Sequence, residues 1–222
     1  MADEPKAEAE SKLTRTKQRW AREGRFLTGA PSRPATDRLP PGQHLVRDWP
    51  VLDLGITPNV APAMWRLDVT GLVDHPVSWS WAEFGAQAQS RLVSDIHCVT
   101  SWTRYDNHWD GLPTQALLAI VQPKPAAHFV ALHAYDGYTT NLSLDDFASD
   151  DALLAVAWEG APLTREHGGP VRLVVPHLYF WKSAKWIRGI EFRADDQPGF
   201  WEVHGYHNRG EPWAEQRYSE EG

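Results

Sequence analysis

Apolar and polar residues alternate with a period of two along several stretches of the chain, and this pattern predicts half-buried β-strands. The alternation is clearest in residues 65–70 and returns in 91–98, 128–135 and 186–192, while β-branched residues fill 171–175. In 186–192 it places one set of side chains on a single face: Trp186, Arg188, Ile190 and Phe192. Neither a regular strand–helix alternation nor an internal repeat accompanies these strands. We therefore predict a β-rich α+β fold.

Short helices and turns are predicted between the strands. Ser80 followed by Glu83 has the spacing of a capping box, so a helix should begin near Trp81. Residues 114–121 carry apolar side chains at helical spacing, and Asp136-Gly137 is a strong turn signal between two strands. Ser143 with Asp146 predicts another helix cap, and the apolar run 151–158 fits either a buried strand or a short helix.

The domain organisation follows from composition. Residues 1–25 are rich in charge and alanine, and four prolines interrupt residues 28–43. Such a composition predicts an exposed arm and an irregular loop, so residues 1–43 should precede a single domain over 44–222. With 222 residues, 42% of them hydrophobic, the chain can bury a substantial core. Its 12 tryptophans should contribute much of that core, and each buried indole N–H needs a hydrogen-bond partner.

Net charge argues against two classes of partner. The chain carries a formal charge of −7 and has no long basic run, so neither nucleic acid nor an anionic membrane surface is expected as its main partner. No apolar run is long enough to span a bilayer, and the charged N-terminal stretch lacks the apolar core of a secretory signal. We therefore expect a cytoplasmic protein without a membrane span.

Cys98 is the only cysteine and lies where the strand predicted over 91–98 ends. A lone thiol forms no internal disulfide, so Cys98 is a buried apolar filler, a nucleophile or a ligand to one soft metal ion. Residue statistics alone favour the first role. His97 precedes it, but neighbouring residues on a strand point to opposite faces, which argues against a Cys–His catalytic pair.

Residues 165–193 form a basic segment in this acidic chain, with six Lys or Arg against two Glu. Concentrated positive charge could bind a phosphate or another anionic group, and Gly168-Gly169 would let the backbone approach such a ligand. A solvated strand face paired with acidic neighbours explains the same pattern. The charge pattern does not decide between the two.

Three motifs in order resemble the molybdopterin-binding domain of the sulfite oxidase family, and most closely its stand-alone bacterial members. They are His97-Cys98-Val-Thr-Ser-Trp102, His167-Gly-Gly-Pro-Val-Arg172 and Ser183-Ala-Lys185, and the resemblance extends over about residues 44–218. It implies that the thiolate of Cys98 binds molybdenum, whose other sulfur ligands come from one molybdopterin. It also implies cofactor contacts by a set of residues: His44, Arg47, Asp136, His167, Arg172, Ser183 and Lys185. Tyr206, in the aromatic segment 199–206, resembles the family's active-site tyrosine.

The resemblance predicts an enzyme, a molybdenum-cofactor-dependent oxidoreductase that moves an oxygen atom to or from a small, sulfur-containing substrate and exchanges electrons with a separate partner. The C-terminal domain of animal and plant sulfite oxidases supplies a substrate-binding arginine and has no counterpart within these 222 residues, so sulfite itself is not implied. A non-catalytic relative that binds pterin or a partner, and a metal-free cysteine enzyme, are the alternatives.

Overall fold

The structure is a computed structural model that describes residues 38–219, in which two β-sheets share one hydrophobic core. The first sheet contains β1 (His44–Leu45), β4 (Ser90–Cys98), β5 (Trp102–Pro113), β8 (Leu153–Trp158), β9 (Ala161–Pro162) and β10 (Arg172–Val174). The second contains β2 (Arg66–Gly71), β3 (Val77–Ser80), β6 (Phe129–Ala134), β7 (Thr139–Ser143) and β11 (Ile187–Arg193). Short α-helices and 3-10 turns connect them: α1 (Trp81–Gly85), α2 (Thr114–Val121), α3 (Leu144–Phe147), Pro62–Met64, Phe180–Lys182 and Glu202–His204.

This architecture confirms the predicted β-rich α+β fold. None of the helices in the described part of the chain has the length and apolar character that crossing a bilayer requires. The arm predicted over residues 1–43 falls largely on residues 1–37, which lie outside the described residues, so the division at residue 43 stays a prediction.

Strand β5 is the centre of the first sheet. It runs antiparallel to β4 along most of its length, pairs in parallel with β1 at its start, and pairs antiparallel with β8 at its end. Strand β8 continues the sheet to β10. The pairing of β4 with β5 places Cys98 opposite Trp102, at the point where β4 ends.

The second sheet has the order β3-β2-β11-β6-β7, in which only the β2–β11 pair is parallel. A register shift lies in β11 between Ile187 and Gly189. Because the shift breaks the alternation, the prediction that one face runs from Trp186 to Phe192 was wrong in part: Ile187 and Ile190 are buried, whereas Arg188 is exposed.

The structure contains the helix caps that the local sequence predicted. Ser80 Oγ accepts a hydrogen bond from the Glu83 N–H, and the Glu83 carboxylate accepts one from the Ser80 N–H, which completes the predicted capping box of α1. Ser143 caps α3 by accepting from the Asp146 N–H. Helix α2 covers residues 114–121 as predicted, and the ambiguous run before Trp158 is a strand.

Buried tryptophans satisfy their indole N–H groups inside the core, as their chemistry demands. Trp65 donates to the carbonyl oxygen of Ile187 at 3.0 Å, and Trp109 donates to Ser94 Oγ at 3.1 Å. Both side chains are fully buried. The rings thus supply large apolar area without leaving an unpaired donor.

Candidate active site

A cleft of about 850 Å³ opens beside the end of β4 and contains Cys98 in its wall. Its lining comes from chain segments that are far apart in sequence, within residues 49–54, 98–102, 136–138, 166–186 and 201–206. Seven predicted site residues meet there: Cys98, Asp136, His167, Arg172, Ser183, Lys185 and Tyr206.

A tight loop between β4 and β5 presents the thiol of Cys98. The Ser101 N–H donates to the Cys98 carbonyl oxygen at 3.0 Å, and Ser101 has a positive φ of 73°, which is uncommon for a residue other than glycine. Cys98 Sγ lies 3.1 Å from Thr100 Oγ1, and the side chain of Gln43 donates to the Cys98 carbonyl oxygen at 3.1 Å. The residue is 6% exposed, so Cys98 lines the cleft from a buried position.

Arg172 at the start of β10 is a buried cation in the cleft wall. Its guanidinium donates to the carbonyl oxygens of His167 at 2.9 Å and Ser183 at 2.8 Å, and it lies 4.3 Å from the ring centroid of Phe180. Within residues 38–219 no carboxylate forms an ion pair with it. Burial lowers the pKa of Arg172 to about 9, which leaves the side chain charged at neutral pH.

Lys185 places a second positive charge in the same wall. Its ammonium group donates to the carbonyl oxygen of Glu166 at 2.8 Å and packs over the ring of Trp186. Burial, reinforced by the charge of Arg172, lowers the pKa of Lys185 to about 8. The Ser183 hydroxyl also lines the cleft, where its oxygen accepts from the Val175 N–H at 2.9 Å and its proton can still be donated.

Both ring nitrogens of His167 are engaged by the protein. One lies 3.0 Å from Thr164 Oγ1 and the other 3.2 Å from the carbonyl oxygen of Trp49, while the imidazole stacks on the Trp49 indole at 3.9 Å. Burial, together with the charges of Arg172 and Lys185, lowers the pKa of His167. A neutral, oriented imidazole therefore forms part of the wall.

Asp136 and Tyr206 complete the group of predicted residues. Asp136 makes the predicted turn, since its carboxylate accepts from the Tyr138 N–H at 3.0 Å, and it also lines the cleft, where burial raises its pKa. Tyr206 is 4% exposed and stacks on Trp201 at 4.8 Å. Burial raises the pKa of Tyr206, with smaller contributions from Tyr218 and Cys98, so the phenol keeps its proton at neutral pH.

Two predicted contacts are not brought to the cleft. His44 and Arg47 are exposed, and neither is among the residues that line it. The stretch just after them contributes instead, beginning with Trp49. That stretch has no periodic pattern or motif that would have identified it from the sequence.

The basic segment 165–193 does not act as a unit. Only Arg172 and Lys185 reach the cleft, whereas Lys182 is completely buried in an ion pair with Glu202 at 2.6 Å. Arg193 pairs with Glu191 at 2.7 Å. The pairing with acidic neighbours that the charge pattern allowed therefore holds for Lys182 and Arg193, while phosphate binding by Arg172 and Lys185 stays a prediction.

His97 faces away from the cleft, as the strand geometry predicted. Its Nδ1 lies 3.0 Å from Thr103 Oγ1, and its ring meets Trp213 edge-on at 4.9 Å. Burial lowers the pKa of His97 to about 4, so the imidazole is neutral at pH 7. It is therefore not a base for Cys98 in this arrangement.

Comparisons with known proteins agree with the sequence motifs. A family model described as "Oxidoreductase molybdopterin binding domain" matches residues 54–201. An "Uncharacterized oxidoreductase YuiH" of Bacillus subtilis is 49% identical over 183 residues, which cover 82% of this chain and 92% of that protein. The catalytic subunit MsrP of the protein-methionine-sulfoxide reductase of Gluconobacter oxydans is 31% identical over 158 residues, 63% of this chain but only 50% of that protein.

A solved structure shows the same fold. The sulfane dehydrogenase SoxCD of Paracoccus pantotrophus matches with a TM-score of 0.58 at 20% identity, over 63% of this chain and 40% of that chain. The family match over more than half of the chain confirms what the three motifs predicted. The chain belongs to the oxidoreductase molybdopterin-binding domain family and is a molybdopterin-dependent oxidoreductase of the sulfite oxidase type.

Proposed function

We propose that the chain binds a molybdenum–molybdopterin cofactor through Cys98 and transfers an oxygen atom to or from a small, sulfur-containing substrate. One observation carries the proposal: the only cysteine shares a cleft with Arg172 and Lys185, two cations that form no ion pair with any described residue. Burying a charge without a partner of opposite charge costs on the order of several kcal/mol. An anionic ligand would remove that penalty.

The donor set of the cleft fits the cofactor. A thiolate at Cys98 is a soft ligand of the kind that a sulfur-ligated metal prefers, and Arg172 and Lys185 offer charge-assisted hydrogen bonds to a phosphate. Ser183 can add a neutral donor, while His167 and Asp136 would shape the pterin site. We assign no cofactor contact to His44 or Arg47, whose side chains do not line the cleft.

When bound, the molybdenum and its pterin would supply the two-electron oxygen-atom chemistry. The chain's own residues would bind and orient it. The Tyr206 hydroxyl, whose pKa is raised by burial, remains protonated and can donate a hydrogen bond to an oxygen atom of the substrate. Because the reaction moves electrons, a separate electron-transfer partner is part of the proposal. The cytoplasmic location stays a prediction.

The lining around Cys98 favours a substrate of low charge. Trp102, Trp181 and Trp201 line the same cleft as Cys98, and the described lining residues include no Lys or Arg besides the two that we propose to bind the phosphate. A small sulfoxide fits aromatic walls better than the sulfite anion does. The name of the Gluconobacter relative, a methionine-sulfoxide reductase, supports the same class.

A metal-free cysteine enzyme is less well supported. Such an enzyme needs a base that can take the proton of Cys98, but His97 faces away from the cleft and both nitrogens of His167 are engaged by the protein. The described lining thus offers no imidazole nitrogen poised for that role.

Metal and pterin analysis tests the proposal. Protein purified from a host that makes the cofactor should contain molybdenum in near-equimolar amount and release a pterin fluorophore after oxidation. Turnover should then be sought with sulfite, sulfoxides and N-oxides, using artificial electron donors and acceptors. Protein that contains neither molybdenum nor pterin would refute the proposal, and a bound pterin without turnover would favour the non-catalytic relative.

A further inference from the structure

Two side chains from outside the family match hold the loop that carries Cys98. The match covers residues 54–201, yet Gln43 donates to the Cys98 carbonyl oxygen at 3.1 Å. Arg217 donates to the carbonyl oxygen of Val99 at 2.7 Å and reaches Ser101 Oγ at 3.5 Å. The segments that flank the matched domain thus close around the loop from both ends of the described chain.

Arg217 is a buried charge without a carboxylate. Its side chain is 1% exposed, it forms no ion pair within residues 38–219, and its Nε has no hydrogen-bond partner there. The guanidinium also lies 5.1 Å from the ring centroid of Tyr179 and donates to the Pro41 carbonyl oxygen at 3.3 Å. These neutral partners offset only part of the desolvation cost of the guanidinium.

The same residue connects the loop to the segment of Tyr206. The Arg217 carbonyl oxygen accepts from the His207 N–H at 3.2 Å, and its neighbour Tyr218 pairs with Tyr206 in an isolated β-bridge. The rings of Tyr206 and Tyr218 meet edge-on at 5.6 Å. Arg217 therefore contacts the thiol-bearing loop with its side chain and the tyrosine segment with its backbone.

We propose that Arg217 is a positioning residue, which fixes the Cys98 loop relative to Tyr206. This inference rests on the proposed function of Cys98 as a metal ligand. Arg217 is not among the residues that line the cleft, so it acts through the loop and not on the substrate. The positive φ of Ser101 shows that the loop adopts a conformation which needs such support.

Two substitutions separate the charge of Arg217 from its hydrogen bonds. Arg217→Gln removes the charge and keeps a donor, whereas Arg217→Lys keeps the charge and loses the paired donors. Arg209→Gln is the matched control, because Arg209 binds Asp146 at 3.0 Å and has no described contact with the Cys98 loop. All variants should be purified from a host that makes the cofactor.

The measurements are molybdenum and pterin content, molybdenum X-ray absorption, kcat and KM. We expect cofactor content to stay near wild type in every variant, since Arg172 and Lys185 are untouched. In Arg217→Gln, kcat should fall at least about tenfold with little change in KM, because a small displacement of a catalytic group lowers the rate steeply. The contribution of the sulfur ligands to the molybdenum X-ray absorption spectrum should change as well. Arg217→Lys should lie between Arg217→Gln and wild type, and Arg209→Gln should match wild type.

Wild-type kcat and an unchanged absorption spectrum in Arg217→Gln would overturn the proposal, and so would equal losses in Arg209→Gln. If the glutamine variant does not fold, the lysine variant decides alone, and wild-type behaviour there overturns the proposal. Wild-type protein without molybdenum would instead refute the proposed function, and the role of Arg217 with it. The two failures are therefore distinguishable.

Discussion

Release of the cofactor at alkaline pH should depend on Lys185. Burial and the neighbouring charge of Arg172 lower the pKa of Lys185 to about 8 in the protein without ligand. A phosphate bound beside the ammonium group would raise that pKa again. The protonated lysine therefore binds the anion best at pH values below its pKa, and cofactor affinity should fall as the pH rises above about 8.

The size of the effect follows from one proton. Above the pKa of Lys185 in the ligand-free protein, each pH unit weakens cofactor binding by up to about tenfold, until the pKa of Lys185 in the complex is reached. Cofactor affinity should therefore fall about tenfold between pH 7 and 9. The phosphate itself does not contribute, because its second ionisation, near pH 6, is complete over this range.

Pterin retention measures this prediction. Wild-type protein and Lys185→Arg should be equilibrated from pH 7 to 9, passed through gel filtration, and assayed for the oxidised pterin fluorophore. The arginine variant keeps its charge, so its retention should fall no more than about twofold over this range, the loss expected from the Arg172 pKa of about 9. Retention that is flat in wild type, or that falls equally in both proteins, would refute the phosphate role of Lys185.

Three further predictions concern Arg172, Tyr206 and His177. Arg172→Met should weaken cofactor retention about 10- to 100-fold, the worth of a hydrogen bond to a charged group, while the exposed Arg188→Met should retain cofactor normally in the same fluorescence assay. Tyr206→Phe keeps the ring stacking on Trp201 but removes the hydroxyl, so kcat should fall by about 100-fold or more at unchanged molybdenum content; an unchanged kcat would exclude the hydroxyl from the reaction. His177 lies between Asp146 and Asp151, whose hydrogen bonds outweigh the effect of burial and raise the pKa of His177 to about 9. The protonated imidazole therefore stabilises the folded protein. Its contribution to the free energy of unfolding is complete below the unfolded-state pKa near 6.5 and is lost as the pH rises towards 9. Urea titrations should show this loss in wild type and a flatter profile in His177→Gln.

Local patterns predicted much of the scaffold because their causes are local. The capping box of α1 needs only Ser80 and Glu83, and the alternation in 65–70 reports one buried face of β2. Cys98 was correctly expected at the end of a strand. The three motifs contain five of the seven predicted residues that the structure brings to one cleft, and the wider resemblance supplied Asp136 and Tyr206.

The sequence pattern did not predict strand β5, because the contacts that stabilise this strand are made with residues on other strands. Its sequence, from Trp102 to Pro113, is rich in polar residues that meet partners on neighbouring strands, such as Asp110 with Arg91 at 3.0 Å and His108 with Glu159 at 3.0 Å. Those partners lie far away in sequence, so the run shows no strong apolar alternation. Pairing with β4 and β8, and not local pattern, makes it a strand.

The support of the Cys98 loop could not be predicted for the same reason. Gln43 and Arg217 lie 55 and 118 residues from the carbonyl groups that they bind, and neither belongs to a recognisable motif. In the basic segment, charge counting could not separate Lys182, paired with Glu202, from Arg172, because that distinction depends on where the glutamate lies after folding.

The most direct test of the account is molybdenum X-ray absorption on wild-type protein and Cys98→Ser, both purified from a host that makes the cofactor. Arg172 and Lys185, which we propose to bind the pterin phosphate, are unchanged in the variant, so pterin should remain bound. The account predicts that the variant loses one sulfur from the molybdenum coordination and loses its redox activity, with the fold unchanged by circular dichroism. An identical sulfur count in the two proteins, with near-wild-type turnover in the variant, would show that Cys98 is a structural residue and would contradict the account.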